Sequence, residues 1–200
     1  SILSGPSFSN EVSQSLPTAV TLATKDKKDF ENISKLIPNK EFRIYYSNDL
    51  IGTQIGGALK NIYAIAAGVA EGLNLGENAK SALISRSFAE MTRYAKKFKA
   101  DKNTLFGLSG LGDLILTCSS KNSRNTQFGI KLASSKYDNF LDLLKSQEVT
   151  EGYYTVKAVY NISQKKNIDM PIMESVYNIL YKQHDLKEEL SNLLSRPITE

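Results

Sequence analysis

Residues 49–73 read DLIGTQIGGALKNIYAIAAGVAEGL. Within this stretch Ile51, Ile55, Leu59, Ile62, Ala66 and Val69 recur at three- and four-residue spacing, the period of one face of an α-helix. The spacing predicts a single long helix with a continuous apolar stripe, central to the fold, with Ser47 or Asn48 as its N-cap. Two features set it apart from a plain core helix. Gly56 and Gly57 sit in its interior, each costing about 1 kcal/mol relative to alanine, and Lys60 follows one turn later on the same side. Helical side chains lean toward the N-terminus, so the Lys60 stem is expected to lie over the bare glycine turn with its ammonium open to a small molecule. The competing reading is that the glycines admit a neighbouring helix and the lysine merely reaches for water.

Downstream, the pattern stays helical. Ile84, Phe88, Met91, Ala95 and Phe98 form a seam on a helix over 77–99, a short helix is expected at 103–106, and further helices at 123–133, 139–145, 155–166, 172–182 and 185–194. Upstream, residues 2–4, 19–23 (AVTLA) and 42–46 (FRIYY) read as strands and 27–36 as a polar helix, with Pro17 and Pro38 in the turns. Three strands in 47 residues do not close a stable sheet alone. The expected fold class is therefore mainly α. Residues 1–47 are expected to form the last α/β portion of a domain whose earlier part is absent, and residues 48–200 an all-helical domain.

Composition narrows the function classes. A chain of 200 residues with 41% apolar content can bury a proper core. The net charge of +4 is spread over lysines scattered among acids, unlike the dense basic face that nucleic-acid binding requires. One cysteine and one histidine exclude a disulfide framework and argue against a His/Cys metal site, which points to a reducing cytoplasm. The longest apolar run, 62–67, falls far short of the roughly 20 residues of a membrane span. Lysine outnumbers arginine 20 to five, so each arginine is a candidate for work that needs a planar fork, such as gripping a carboxylate or phosphate.

Several stretches could carry chemistry. Gly5-Pro6-Ser7-Phe8 ends a strand where a backbone N–H and a hydroxyl could meet a ligand, or is an ordinary turn. Gly107 to Asp113 (GLSGLGD) is not G-x-G-x-x-G and follows no convincing strand, so it is not a dinucleotide loop. It leaves Asp113 exposed by glycines at a helix start, as a cap or a functional anchor. Ser123-Arg124-Asn125 opens a helix, where amides and dipole favour an anion and Arg124 adds a bidentate fork, the pattern for holding a phosphate monoester. Cys118 reads as a small buried hydrophobe and His184 as solvated.

Taken together, GPSF, PTAVTLA at 17–23, IGGALKN at 55–61, GLGDL at 110–114, SRN at 123–125 and VTEG at 149–152 resemble, in order and spacing, the bacterial NAD(P)-dependent glycerol-3-phosphate dehydrogenases. The resemblance covers nearly the whole chain. It implies a Rossmann domain that holds NAD or NADP, followed by the helical substrate domain, and interconversion of sn-glycerol 3-phosphate and dihydroxyacetone phosphate for phospholipid synthesis. It implies Lys60 as the catalytic lysine. Gly5, Ser7, Lys60, Asp113, Ser123, Arg124 and Asn125 match substrate-binding positions, and Ser9, Arg124, Val149 and Glu151 positions beside the cofactor. Ser9 stands where the family has alanine. The family's glycine-rich βαβ unit is missing, so the chain is expected to be a fragment, inactive alone. No metal is implied, and a homodimer is possible. The rivals are a related two-domain hydroxy-acid dehydrogenase and a helical interaction module without catalysis.

Overall fold

The computed structural model describes residues 1–37, 40–134 and 150–196. Three strands form one mixed sheet in the order β1-β2-β3. β1 (Ile2–Ser4) runs antiparallel to β2 (Thr18–Ala23), with Ile2 opposite Ala23, and β2 runs parallel to β3 (Phe42–Ser47), with Thr18 opposite Phe42. The short helix α1 (Ser9–Ser13) lies between β1 and β2. The parallel pair needs a crossover, which α2 (Lys27–Lys35) supplies. β2 is the buried strand, with Val20, Leu22 and Ala23 almost inaccessible. The strand and crossover expectations agree with this arrangement to within two residues at each end.

After Ser47 the described chain is helical, and α3 (Leu50–Gly72) is its axis. Its burial is not confined to the expected stripe. Ile51 is 49% exposed, whereas Tyr63, Ala64 and Ile65 join Ile55, Leu59 and Ile62 in the interior. Neighbours surround α3 on several sides: α4 (Gly76–Lys97), α6 (Asp113–Ser119), α7 (Arg124–Ala133) and α8 (Glu151–Lys166) all pack on it. A helix packed on several sides buries more than one stripe, so Tyr63, Ala64 and Ile65 are covered as well. The N-cap also differs. Asp49, not Ser47 or Asn48, accepts from Gly52 N at 2.8 Å, and its other oxygen accepts from Asp101 N at 2.8 Å. One carboxylate thereby starts α3 and anchors the turn into α5 (Lys102–Phe106).

The seam of α4 is displaced too. Met91 and Ala95 are buried as expected, but Ile84, Phe88 and Phe98 are only partly covered while Ser87, Glu90 and Tyr94 are buried. Glu90 is inside because it caps another helix. Its Oε1 accepts from Ile172 N at 2.6 Å and its Oε2 from Met173 N at 3.2 Å, at the start of α9 (Pro171–Lys182). Tyr63 Oη of α3 donates to the same carboxylate at 3.3 Å. Burial drives the Glu90 carboxyl up from 4.5 to about 7 and raises the Tyr63 phenol well above its usual value. A final helix, α10 (Leu186–Leu194), packs on α9. The helix expected at 139–145 lies outside the described residues. The one expected at 155–166 begins earlier, at Glu151, because Gly152 N finds an acceptor in Asn125 Oδ1 at 2.9 Å.

Candidate active site

Two glycine contacts bring the site together. A Cβ on Gly68 of α3 would lie 2.1 Å from Thr126 O, and one on Gly129 of α7 would lie 2.1 Å from Ile65 O, so the two backbones touch only because both side chains are absent. This crossing carries the start of α7 alongside the middle of α3. Gly56 works the same way: its Cβ would meet Ser109 O at 2.1 Å, in a π-helical turn (Leu108–Gly112) that feeds α6. Gly56 thus admits a close neighbour, as the competing reading has it, but the neighbour is this turn rather than another helix. Gly57 faces the other way, toward Ser4 Oγ, and lines a cleft together with Lys60.

The turn delivers Asp113 as the first residue of α6, pointing at α3. Lys60 Nζ donates to Asp113 Oδ2 at 2.6 Å. Asp113 is buried, 2% exposed, and not laid open by its glycines as the sequence suggested. The close approach at Gly56 presses its helix against α3. Thr117, one turn on, donates to the Asp113 carbonyl at 2.6 Å and lies 3.3 Å from Oδ1. Thr126 Oγ1 donates to Thr117 O at 2.7 Å, joining this pair to α7.

At the start of α7, Ser123 Oγ accepts from Thr126 N at 3.2 Å, so the N-cap reading of Ser123 holds. Asn125 ties its own helix to two others. Its Nδ2 donates to Asn61 Oδ1 of α3 at 3.1 Å and lies 3.5 Å from Glu151 Oε2, while its Oδ1 accepts from Gly152 N of α8. Arg124 is 77% exposed at the side chain and forms an ion pair through Nη2 with Glu151 Oε1. On the opposite wall Gly5 takes φ +149°, and a Cβ there would press on Val20 Cα at 3.0 Å, so the turn after β1 requires glycine. Ser7 Oγ donates to Gly5 O at 3.0 Å.

These residues line one cleft of about 800 Å³ between the sheet end and the helices. Gly5, Ser7, Ser9, Lys60, Asp113, Ser123, Arg124, Asn125 and Glu151 all border it, and Val149 lies outside the described residues. Lys60 and Arg124 therefore open onto the same space. Sequence reasoning left out Ser4, Asn61, Thr117 and Asn122, which also border the cleft. Asn61 adjoins Lys60, and Thr117 lies four residues after Asp113 on the same helical face, so both carried a positional signal. Cys118 is fully buried behind Asp113, its thiol pushed up to about 12 by burial, and plays no part. His184 is not simply solvated: its Nδ1 lies 2.7 Å from Glu189 Oε1. Among the described residues no cluster of three or more His, Cys, Asp or Glu could hold a metal, and no helix is long and apolar enough to cross a membrane.

The chain thus joins a three-stranded mixed sheet to a helical domain built on one buried axis, with a lysine–aspartate pair in a polar cleft between them. The family model for "NAD-dependent glycerol-3-phosphate dehydrogenase C-terminus" matches residues 49–191, and the chain belongs to this family. It is 48% identical over 198 residues to a glycerol-3-phosphate dehydrogenase [NAD(P)+] of Solidesulfovibrio magneticus, covering 98% of this chain and 59% of that protein. A protein of the same description from Colwellia psychrerythraea is 44% identical over 196 residues, covering 98% and 58%. The crystal structure of glycerol-3-phosphate dehydrogenase from Coxiella burnetii superposes with a TM-score of 0.91 at 38% identity, over 97% of this chain and 59% of that one. The chain thus spans about 59% of the length of the relatives it matches.

Proposed function

We propose that this chain supplies the substrate half of an enzyme that interconverts sn-glycerol 3-phosphate and dihydroxyacetone phosphate with NAD(P)H. In this reading residues 48–200 form the substrate domain and residues 1–47 the tail of the dinucleotide-binding domain. The reaction serves phospholipid synthesis in the cytoplasm. The observation that carries the reading is the shared cleft: an ammonium fixed by a buried carboxylate and a guanidinium at a helix start border one space. The first suits an oxygen that gains negative charge and the second suits a phosphate.

The residues present fit the reactive end of a dinucleotide better than its pyrophosphate. Ser9, Arg124 and Glu151 offer a hydroxyl, a guanidinium and a carboxylate on the cleft wall, whereas these 200 residues contain no G-x-G-x-x-G turn. A nicotinamide held there would supply the hydride. Lys60 then hydrogen-bonds the carbonyl oxygen, stabilises the charge that grows on it and gives it a proton, and in the reverse direction the neutral amine takes the proton from the hydroxyl. Asp113 holds the ammonium in place. Arg124 and Asn125, with the amides at the start of α7, grip the phosphate and so fix the carbonyl carbon in the cleft.

The test joins the N-terminal part of the Solidesulfovibrio magneticus relative ahead of Ser1 and follows NADH and NADPH oxidation. Turnover with dihydroxyacetone phosphate and little with dihydroxyacetone is the expected result. Equal use of a phosphate-free hydroxy acid or ketone would favour the related hydroxy-acid dehydrogenase. Oxidation of neither cofactor by a fusion that folds would favour a helical interaction module, and light scattering on the same sample tests for a homodimer.

A further inference from the structure

The Arg124–Glu151 pair occupies the groups that the proposed function assigns to phosphate. Glu151 Oε1 is paired with Arg124 Nη2, and Glu151 Oε2 lies 3.5 Å from Asn125 Nδ2. One carboxylate thus lies with one oxygen on each of two neighbouring donors, as two oxygens of a phosphate would. Ser123 Oγ accepts from Thr126 N and caps the helix, while Arg124 and Asn125 are the two donors that the Glu151 carboxylate faces. We infer that Glu151 is a built-in competitor for the phosphate site: its carboxylate faces Arg124 and Asn125 and must be displaced when phosphate enters.

Three features suit it to that part. Glu151 is half exposed at the side chain, so leaving Arg124 returns the carboxylate to water. It is the first residue of α8, where the helix dipole favours a negative charge with or without the arginine. Its backbone neighbour Gly152 is fixed by Asn125 Oδ1 at 2.9 Å, so the side chain can swing while the helix start stays in place. An exposed ion pair is a weak competitor, which keeps phosphate binding reversible and lowers its affinity only modestly. A residue that merely oriented Arg124 would have the opposite effect on removal, because the guanidinium would lose its aim.

The inference rests on the phosphate reading, and one experiment separates the two. Inorganic phosphate is titrated into the chain without cofactor, followed by calorimetry and by NMR of the arginine Nε–H signals. The proteins are wild type, Glu151→Gln, Glu151→Ala and Arg124→Lys, each checked for folding by circular dichroism. Both Glu151 variants are expected to bind phosphate about two- to fivefold more tightly than wild type, the range an exposed ion pair commands. Arg124→Lys should bind it several-fold more weakly. Affinity that is unchanged or reduced in both Glu151 variants, while Arg124→Lys still weakens binding, overturns the competitor role and leaves the phosphate site standing. Wild-type binding that does not depend on Arg124 overturns both.

Discussion

Lys60 of α3 and Asp113 of α6 are 53 residues apart in sequence and 2.6 Å apart in space, joined Nζ to Oδ2. Asp113 is almost fully buried, while the Lys60 side chain keeps 22% of its surface exposed. The asymmetry matters for chemistry. The carboxylate is fixed inside the helical packing, and the ammonium it holds retains a face toward the cleft. An ammonium pinned in this way can meet a ligand oxygen without first searching among rotamers, the kind of preorganisation that makes electrostatic stabilisation effective.

From this pair, Lys60→Ala in the fused enzyme is expected to lower turnover by about 10²- to 10⁴-fold, the usual contribution of a positioned proton donor. Michaelis constants should move far less. Asp113→Asn keeps the shape but removes the charge that anchors the ammonium, so turnover should fall by a smaller factor. Steady-state kinetics on both variants checks this, and wild-type turnover in Lys60→Ala would remove the lysine from the reaction.

The adjacent glycines Gly56 and Gly57 of α3 should respond very differently to alanine. At Gly56 the new methyl would sit 2.1 Å from Ser109 O and 3.2 Å from Gly110 Cα, all backbone. Neither can move without shifting the turn that positions Asp113, so Gly56→Ala should cost about 2 kcal/mol or more and lower the melting temperature by several degrees. At Gly57 the nearest atom is Ser4 Oγ at 3.2 Å, the tip of a side chain that can rotate. The helix-propensity gain of about 1 kcal/mol offsets that contact, so Gly57→Ala should be close to neutral in stability. Thermal melts followed by circular dichroism decide it, and equal losses at both positions would show that the distinction is wrong.

The central helix was legible because a long apolar repeat carries its own period, and the strands because alternation and prolines bracket them. What stayed hidden was decided by distant partners. Ser47, Asn48 and Asp49 are all good caps; Asp49 prevails with an oxygen left over for Asp101 N, a partner 52 residues away. Asp113 looked exposed because its glycine neighbours suggest a loop, whereas Gly56 lets that loop press against α3. Glu90 broke the α4 seam because the amides of Ile172 and Met173 need an acceptor, which no periodicity on α4 announces. Apart from Val149, which lies outside the described residues, the site residues read from motifs border one cleft, while Asn61 and Thr117 went unassigned since each is an ordinary helix residue by local pattern.

Glu90 gives the fold a pH dependence whose sign can be worked out. Burial raises its carboxyl from 4.5 to about 7, against the opposing pull of the Ile172 and Met173 amides, the Arg93 charge and the Tyr63 hydroxyl. Between those two values the native state keeps a proton that the unfolded chain has released. The contribution is therefore fully present below about pH 4.5 and lost as pH rises through about 7. The span corresponds to a loss on the order of 3 kcal/mol. Glu90→Gln cannot titrate, so urea midpoints of wild type should fall relative to this variant as pH is raised from 5 to 8. The variant itself gives up an acceptor for Met173 N and should start lower at pH 5. The two curves should thus converge or cross toward pH 8. Parallel curves over that range would mean that Glu90 already sits in the cap as a carboxylate at pH 5, held there by the two amides more strongly than burial opposes it.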